Sequence, residues 1–146
     1  MPRIYRLTIP RRLVNAVVTP LVQLGIGPRH TYLLGVPGRR TGQMYRTPVT
    51  LVETPTGRWL VAPYGERNWV KNARASGWVE LSRGRSRSRV HVAEVPPGER
   101  GPILRSYLSR VPVTRDFFDA RPGDPVEAFA AEAARHPVFR LKGGSP

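Results

Sequence analysis

Apolar residues recur along this chain in short blocks, and their spacing changes with position. Leu13, Val14, Val17, Val18, Leu21 and Val22 fall at helical intervals, which predicts an amphipathic helix within residues 1–27. Gly25, Gly27 and Pro28 break that pattern. From residue 31 the blocks shorten and become rich in β-branched and aromatic side chains. Segments 31–36, 46–54, 58–62 and 78–82 read as strands, with Pro55-Thr56-Gly57 turning the second into the third. Between them, 66–76 reads as one helix closed by Gly77. A hairpin turning near Gly84 places Arg87, Arg89 and His91 on one face of the next strand, with Ser88, Val90 and Val92 on the other.

After Pro96-Pro97-Gly98 a helix is expected from about residue 99. Its stripe is Ile103, Leu104, Tyr107 and Leu108, and Pro112 ends it. Phe117 and Phe118 are candidates for the core. The alanine-rich stretch 125–135 reads as a helix with Pro125 in its first turn. A last strand is expected at 137–141 and a loose tail at 142–146. About six strands and three or four short helices suggest a small barrel with helical decoration, mainly β with helices, in one domain over 1–146.

Composition narrows the function classes. The chain has 146 residues and no cysteine, so it can bury a real core but can use neither disulfides nor thiolate chemistry. Its net charge is +14, with Lys71 and Lys142 the only lysines. Such a field attracts polyanions: nucleic acid, acidic headgroups or a charged small molecule. Asn15, Pro20 and Gln23 interrupt the N-terminal apolar run, so it does not read as a membrane span or a signal peptide. It reads either as a helix packed on the domain or as one lying on a membrane surface. The absence of export and disulfide signals suits the cytoplasm.

The densest chemistry lies between the first two strands, in Gly38-Arg39-Arg40-Thr41-Gly42. Glycines let main-chain N–H groups converge as an anion nest, and guanidinium forks match phosphate oxygens. The lack of a Gly-Lys-Ser/Thr run excludes a Walker loop. The same residues also describe a tight hairpin with solvated arginines, and both readings stand at this level. Elsewhere His30, His91 and His136 are isolated and the acids are scattered, so no metal site is expected. No serine occupies a nucleophile elbow. If the chain is an enzyme, a cofactor carries the chemistry.

Gly38–Gly42 with Thr47-Pro48, then Ala62-Pro63-Tyr64-Gly65, then Asn68-Trp69-Val70-Lys71-Asn72, together resemble the deazaflavin-dependent nitroreductase family. The similarity covers roughly residues 13–95, with an echo in 136–141. It implies a split β-barrel resembling the FMN-binding pyridoxamine-phosphate-oxidase-like fold. It also implies coenzyme F-420, an 8-hydroxy-5-deazaflavin whose tail carries a phosphate and several glutamates. By that analogy Gly38, Arg39, Arg40, Thr41 and Gly42 hold the tail phosphate, with Arg46 nearby. Thr47 and Pro48 edge the ring on one side and Ala62, Pro63, Tyr64 and Gly65 on the other. Asn68, Trp69 and Asn72 close the pocket, and Tyr64 is the candidate proton donor. Many family members place an arginine where this chain has Tyr45, which moves Arg46 to the opposite strand face.

The resemblance implies hydride transfer from the reduced coenzyme to an electron-poor acceptor: a quinone, an activated alkene or a nitro compound. Such barrels are often homodimers. Three other readings compete: an FMN-dependent reductase, a non-catalytic barrel holding a cofactor or lipid, and a nucleic-acid binder. The last is disfavoured because no aromatic residue interleaves the arginines of 82–89.

Overall fold

In a computed structural model, the structure describes residues 30–142. The predicted N-terminal helix, with its membrane-surface reading, lies outside them, as does most of the predicted tail. Seven strands follow the order β1 (Thr31–Pro37), β2 (Met44–Thr50), β3 (Val52–Thr54), β4 (Gly57–Val61), β5 (Trp78–Arg83), β6 (Ser86–Glu94) and β7 (Val138–Lys142). Helices α1 (Asn68–Ser76), between β4 and β5, and α2 (Gly101–Arg110) and α3 (Val126–Ala130), between β6 and β7, interrupt them. All pairings are antiparallel, in the sheet order β2-β1-β5-β6-β7-β4-β3.

The two edge strands of that sheet are consecutive in sequence, separated by Leu51 alone. One continuous segment therefore starts at one edge and finishes at the other, which forces the sheet to curl. The expected strand over 46–54 is thus two strands. Leu51 is fully buried, and its N–H donates across the bend to the His30 carbonyl at 2.9 Å. The result is the split barrel that the resemblance implied. Pro48 is tolerated because β2 is an edge strand and has ladder bonds on only one side.

Two apolar clusters hold the fold. Inside the curl, Leu34, Val36, Leu60, Val79, Leu81, Val90 and Phe139 meet Val70 and Ala73 of α1. Outside, Val52, Val61 and Val138 meet Leu104, Tyr107 and Leu108 of α2, together with Phe118 and Phe129. The helix expected over 125–135 is shorter: α3 ends at Ala130 and a 3-10 turn follows at Ala133–Arg135. Just past α3, Glu132 turns inward and its carboxylate accepts the N–H groups of Asp119 and Ala120 at 2.9 and 2.8 Å. Among the described residues no helix is long and apolar enough to cross a membrane.

Candidate functional site

The β1–β2 hairpin and α1 build a cleft at one rim of the barrel. The loop between the strands closes on itself: Gly38 N–H donates to the Gln43 carbonyl and Gly42 N–H to the Gly38 carbonyl, both at 2.8 Å. Gly42 takes a left-handed φ of 76° that favours glycine there. Gln43 N–H donates to Thr41 Oγ1 at 3.2 Å. Asn72, on α1 and 6% exposed, fixes this loop in space. Its Oδ1 accepts the main-chain N–H of Arg39 at 3.1 Å and the Arg39 guanidinium at 2.8 Å.

The cleft measures about 450 Å³ and is lined by Gly38, Arg39, Arg40, Thr41, Tyr45, Asn68, Trp69 and Asn72. The residues expected from the arginine loop and from the tryptophan helix therefore stand together, thirty residues apart in sequence. Trp69 is half-buried, packs on the barrel core and tilts against Phe139 at 6.2 Å, so it is both core and wall. Arg40 has no ion-pair or hydrogen-bond partner among the described residues.

The remaining expected residues lie around the cleft rather than in its lining. Gly42 closes the loop. Thr47 follows Tyr45 on the same face of β2, whereas Arg46 turns to the other face and meets Glu80 at 3.3 Å. Ala62, Pro63, Tyr64 and Gly65 form the turn between β4 and α1. That turn is laid against the C-terminal segment: Ala62 N–H donates to the Pro137 carbonyl at 2.8 Å, and Tyr64 stands edge-on to Phe117 at 4.7 Å.

His136 anchors the same turn. Its Nδ1 lies 3.1 Å from the Pro63 carbonyl. Its Nε2 lies 2.7 Å from Glu132 Oε1, and its ring stacks on Phe118 at 4.1 Å. Burial pulls the imidazole pKa below its ordinary value, opposed by Glu132. Sequence reasoning missed this buried pair. The i, i+4 spacing of Glu132 and His136 was visible, but nothing marked either side chain as turned inward. Tyr45 was noted as a departure from the family and not as a wall of the cleft.

The sequence model of the F420H(2)-dependent quinone reductase family matches residues 9–121. The chain belongs to that family. It is accordingly an oxidoreductase of the deazaflavin-dependent kind, with coenzyme F-420 as its cofactor. No curated protein matches the chain. Among solved structures, a reductase titled F420-H2 dependent (FDR-A) superposes with a TM-score of 0.56 at 19% identity, over 78% of this chain and 95% of that one. A protein solved as a domain-swapped dimer gives 0.57 at 17%, over 92% and 100%. A Listeria innocua protein named for pyridoxamine 5′-phosphate oxidase gives 0.53 at 7%, over 91% and 94%. At these identities the likenesses speak for the fold, and they place the chain among pyridoxamine-phosphate-oxidase-like barrels.

The cleft suits the family's coenzyme on its own chemistry. An unpaired guanidinium, a second one fixed by Asn72, a threonine hydroxyl and a glycine-rich main chain form a donor set for an anionic tail. Trp69 supplies an apolar wall beside it.

Proposed function

We propose that this protein reduces quinones with the reduced deazaflavin bound in the Arg39–Asn72 cleft; activated alkenes and nitro compounds share the electron-poor character that such a donor needs. Gly38, Arg39, Arg40, Thr41 and Gly42 hold the anionic tail. Asn68, Trp69 and Asn72 close the site from α1, with Thr47 and Pro48 continuing its β2 side. Ala62, Pro63, Tyr64 and Gly65 border it from the turn ahead of α1. When bound, the reduced coenzyme supplies a hydride. The protein's own part is to bind, to orient and to exclude water from the reacting faces. The accompanying proton comes from solvent or from the Tyr64 hydroxyl. By likeness to the domain-swapped relative, the chain is also proposed to pair as a homodimer.

The observation that carries this reading is the anchoring of Arg39 by a buried asparagine on the helix that also presents Trp69. It leaves Arg40 as a charged group in the cleft with no structural partner among the described residues. The test is a fluorescence titration with oxidised deazaflavin beside FMN, on wild type and Arg40→Ala. Saturable binding of the deazaflavin, weakened about tenfold or more by the substitution, is expected, because a charge-assisted contact contributes about 1.5–3 kcal/mol. Equal affinity in the two proteins would move the tail away from this loop. Preference for FMN would overturn the coenzyme assignment to this cleft.

A further inference from the structure

Tyr45 and Val113 are the large apolar side chains left exposed among the described residues, and Tyr45 alone of the two lines the cleft. It is 52% exposed. Pairing with Val36 across the β1–β2 ladder puts it on the core-facing side of the sheet. Its place at the loop end of β2 leaves the ring at the rim and not in the core. The ring lies against the loop. A Cβ added at Gly38 would stand 2.9 Å from Tyr45 Cε2, so only glycine lets the ring lie this close to the main chain. One edge is therefore backed by the hairpin while much of the ring remains open to solvent.

The walls of the cleft are graded in depth. Asn72 forms the floor at 6% exposure, Trp69 is half-buried against the barrel, and Tyr45 stands at the mouth. A coenzyme held through its tail on Arg39 and Arg40 uses the floor and the loop. The acceptor must enter and leave in every turnover, so it meets the mouth. An open, electron-rich phenol ring fits a planar, electron-poor partner, because offset stacking aligns the negative face of one ring with the positive region of the other.

We infer that Tyr45 is a specificity-determining residue whose ring is the stacking platform for the planar ring of the electron acceptor. This rests on the quinone-reductase reading of the same cleft. The platform favours flat acceptors such as naphthoquinones over puckered ones of similar electrophilicity, and the phenol oxygen is not required for it.

The test compares wild type, Tyr45→Phe and Tyr45→Ala in two measurements. In the first, menadione is titrated into the protein without coenzyme and saturable quenching of tryptophan fluorescence is followed, Trp69 being in the cleft. Tyr45→Ala is expected to weaken binding about tenfold, with Tyr45→Phe close to wild type. In the second, oxidation of reduced deazaflavin is followed with menadione and with 2-cyclohexen-1-one. Tyr45→Ala is expected to raise KM for menadione about tenfold at nearly constant kcat, while KM for cyclohexenone changes less than about twofold. A Tyr45→Ala protein that binds menadione as wild type does would overturn the inference. So would equal losses with both acceptors, or a loss confined to deazaflavin affinity, which would make Tyr45 a wall for the coenzyme. If wild type binds menadione through Tyr45 but binds no deazaflavin, the proposed function fails and the platform stands.

Discussion

Asn72 and His136 show how single polar residues position this site from beneath. Asn72 spends one amide oxygen on both the main chain and the guanidinium of Arg39, so the hairpin cannot lift from α1 without stranding a buried acceptor. His136 does the corresponding work for the turn at Pro63, with Glu132 behind it. That second arrangement has a pH signature. Burial lowers the pKa of His136 from its ordinary 6.5, while in the unfolded chain the ring keeps the ordinary value. Between the two values the unfolded state binds more protons, so stability rises with pH through that window. The contribution is complete above the unfolded value and is lost as the pH falls through the folded one. Urea midpoints are expected to drop between about pH 7 and about pH 5. The His136→Gln protein, though less stable throughout, is expected to show a shallower slope. Equal slopes in the two proteins would place the acid sensitivity elsewhere.

The next scale is the element, where α1 has the most to position and the shortest means to do it. It is nine residues long, has no side-chain cap at its start, and ends at Gly77 with φ 74° and its N–H donating to the Ala73 carbonyl. A Cβ at Gly77 would meet nothing within 4 Å, so the cost of Gly77→Ala is conformational alone. A loss of about 1–2 kcal/mol is expected, with Gly77→Asn recovering part of it. The check is a lower urea midpoint at unchanged m, since the surface exposed on unfolding is the same. This stop was legible in the sequence because glycine after a helical run has one common meaning. The β5–β6 hairpin at Gly84 was legible for a similar reason: alternation on both sides left its register little freedom, and Arg87, Arg89 and His91 do face outward. Leu51 was not legible. Bending one strand into two edges of a sheet is decided by closure of the barrel, and nothing local in Thr50-Leu51-Val52 signals it. The early end of α3 accompanies the inward turn of Glu132 toward residues 119 and 120, a contact no window of sequence contains. In the cleft, the meeting of the arginine loop with Trp69 came through the family resemblance. The residues alone left that loop as readily a solvated hairpin. Tyr45 looked like a departure because its use depends on Gly38, seven residues back and across the hairpin.

For the whole molecule, charge is the dominant property. The chain carries +14, and exposed arginines such as Arg85 at the β5–β6 turn and Arg105 on α2 are not part of the cleft lining. Scattered charge of this kind contributes little to a bound complex across many ångströms of water, but it shapes the approach of an anion. An anionic coenzyme should therefore be captured quickly at low salt, with the field and not the contacts setting the rate. Stopped-flow binding of the deazaflavin is expected to show an association rate falling about tenfold between about 20 mM and about 500 mM salt, as the screening length shrinks below the size of the domain. The dissociation rate reports the contacts of Arg39, Arg40 and Thr41 and should change much less. Replacing Arg85 and Arg105 together by Glu lowers the net charge by four without touching the cleft. The double variant is expected to bind about two- to threefold more slowly at low salt and to release the coenzyme at the wild-type rate. Salt acting mainly on release would instead assign the whole electrostatic effect to the two arginines of the loop, and the remaining charge would then have no part in coenzyme capture.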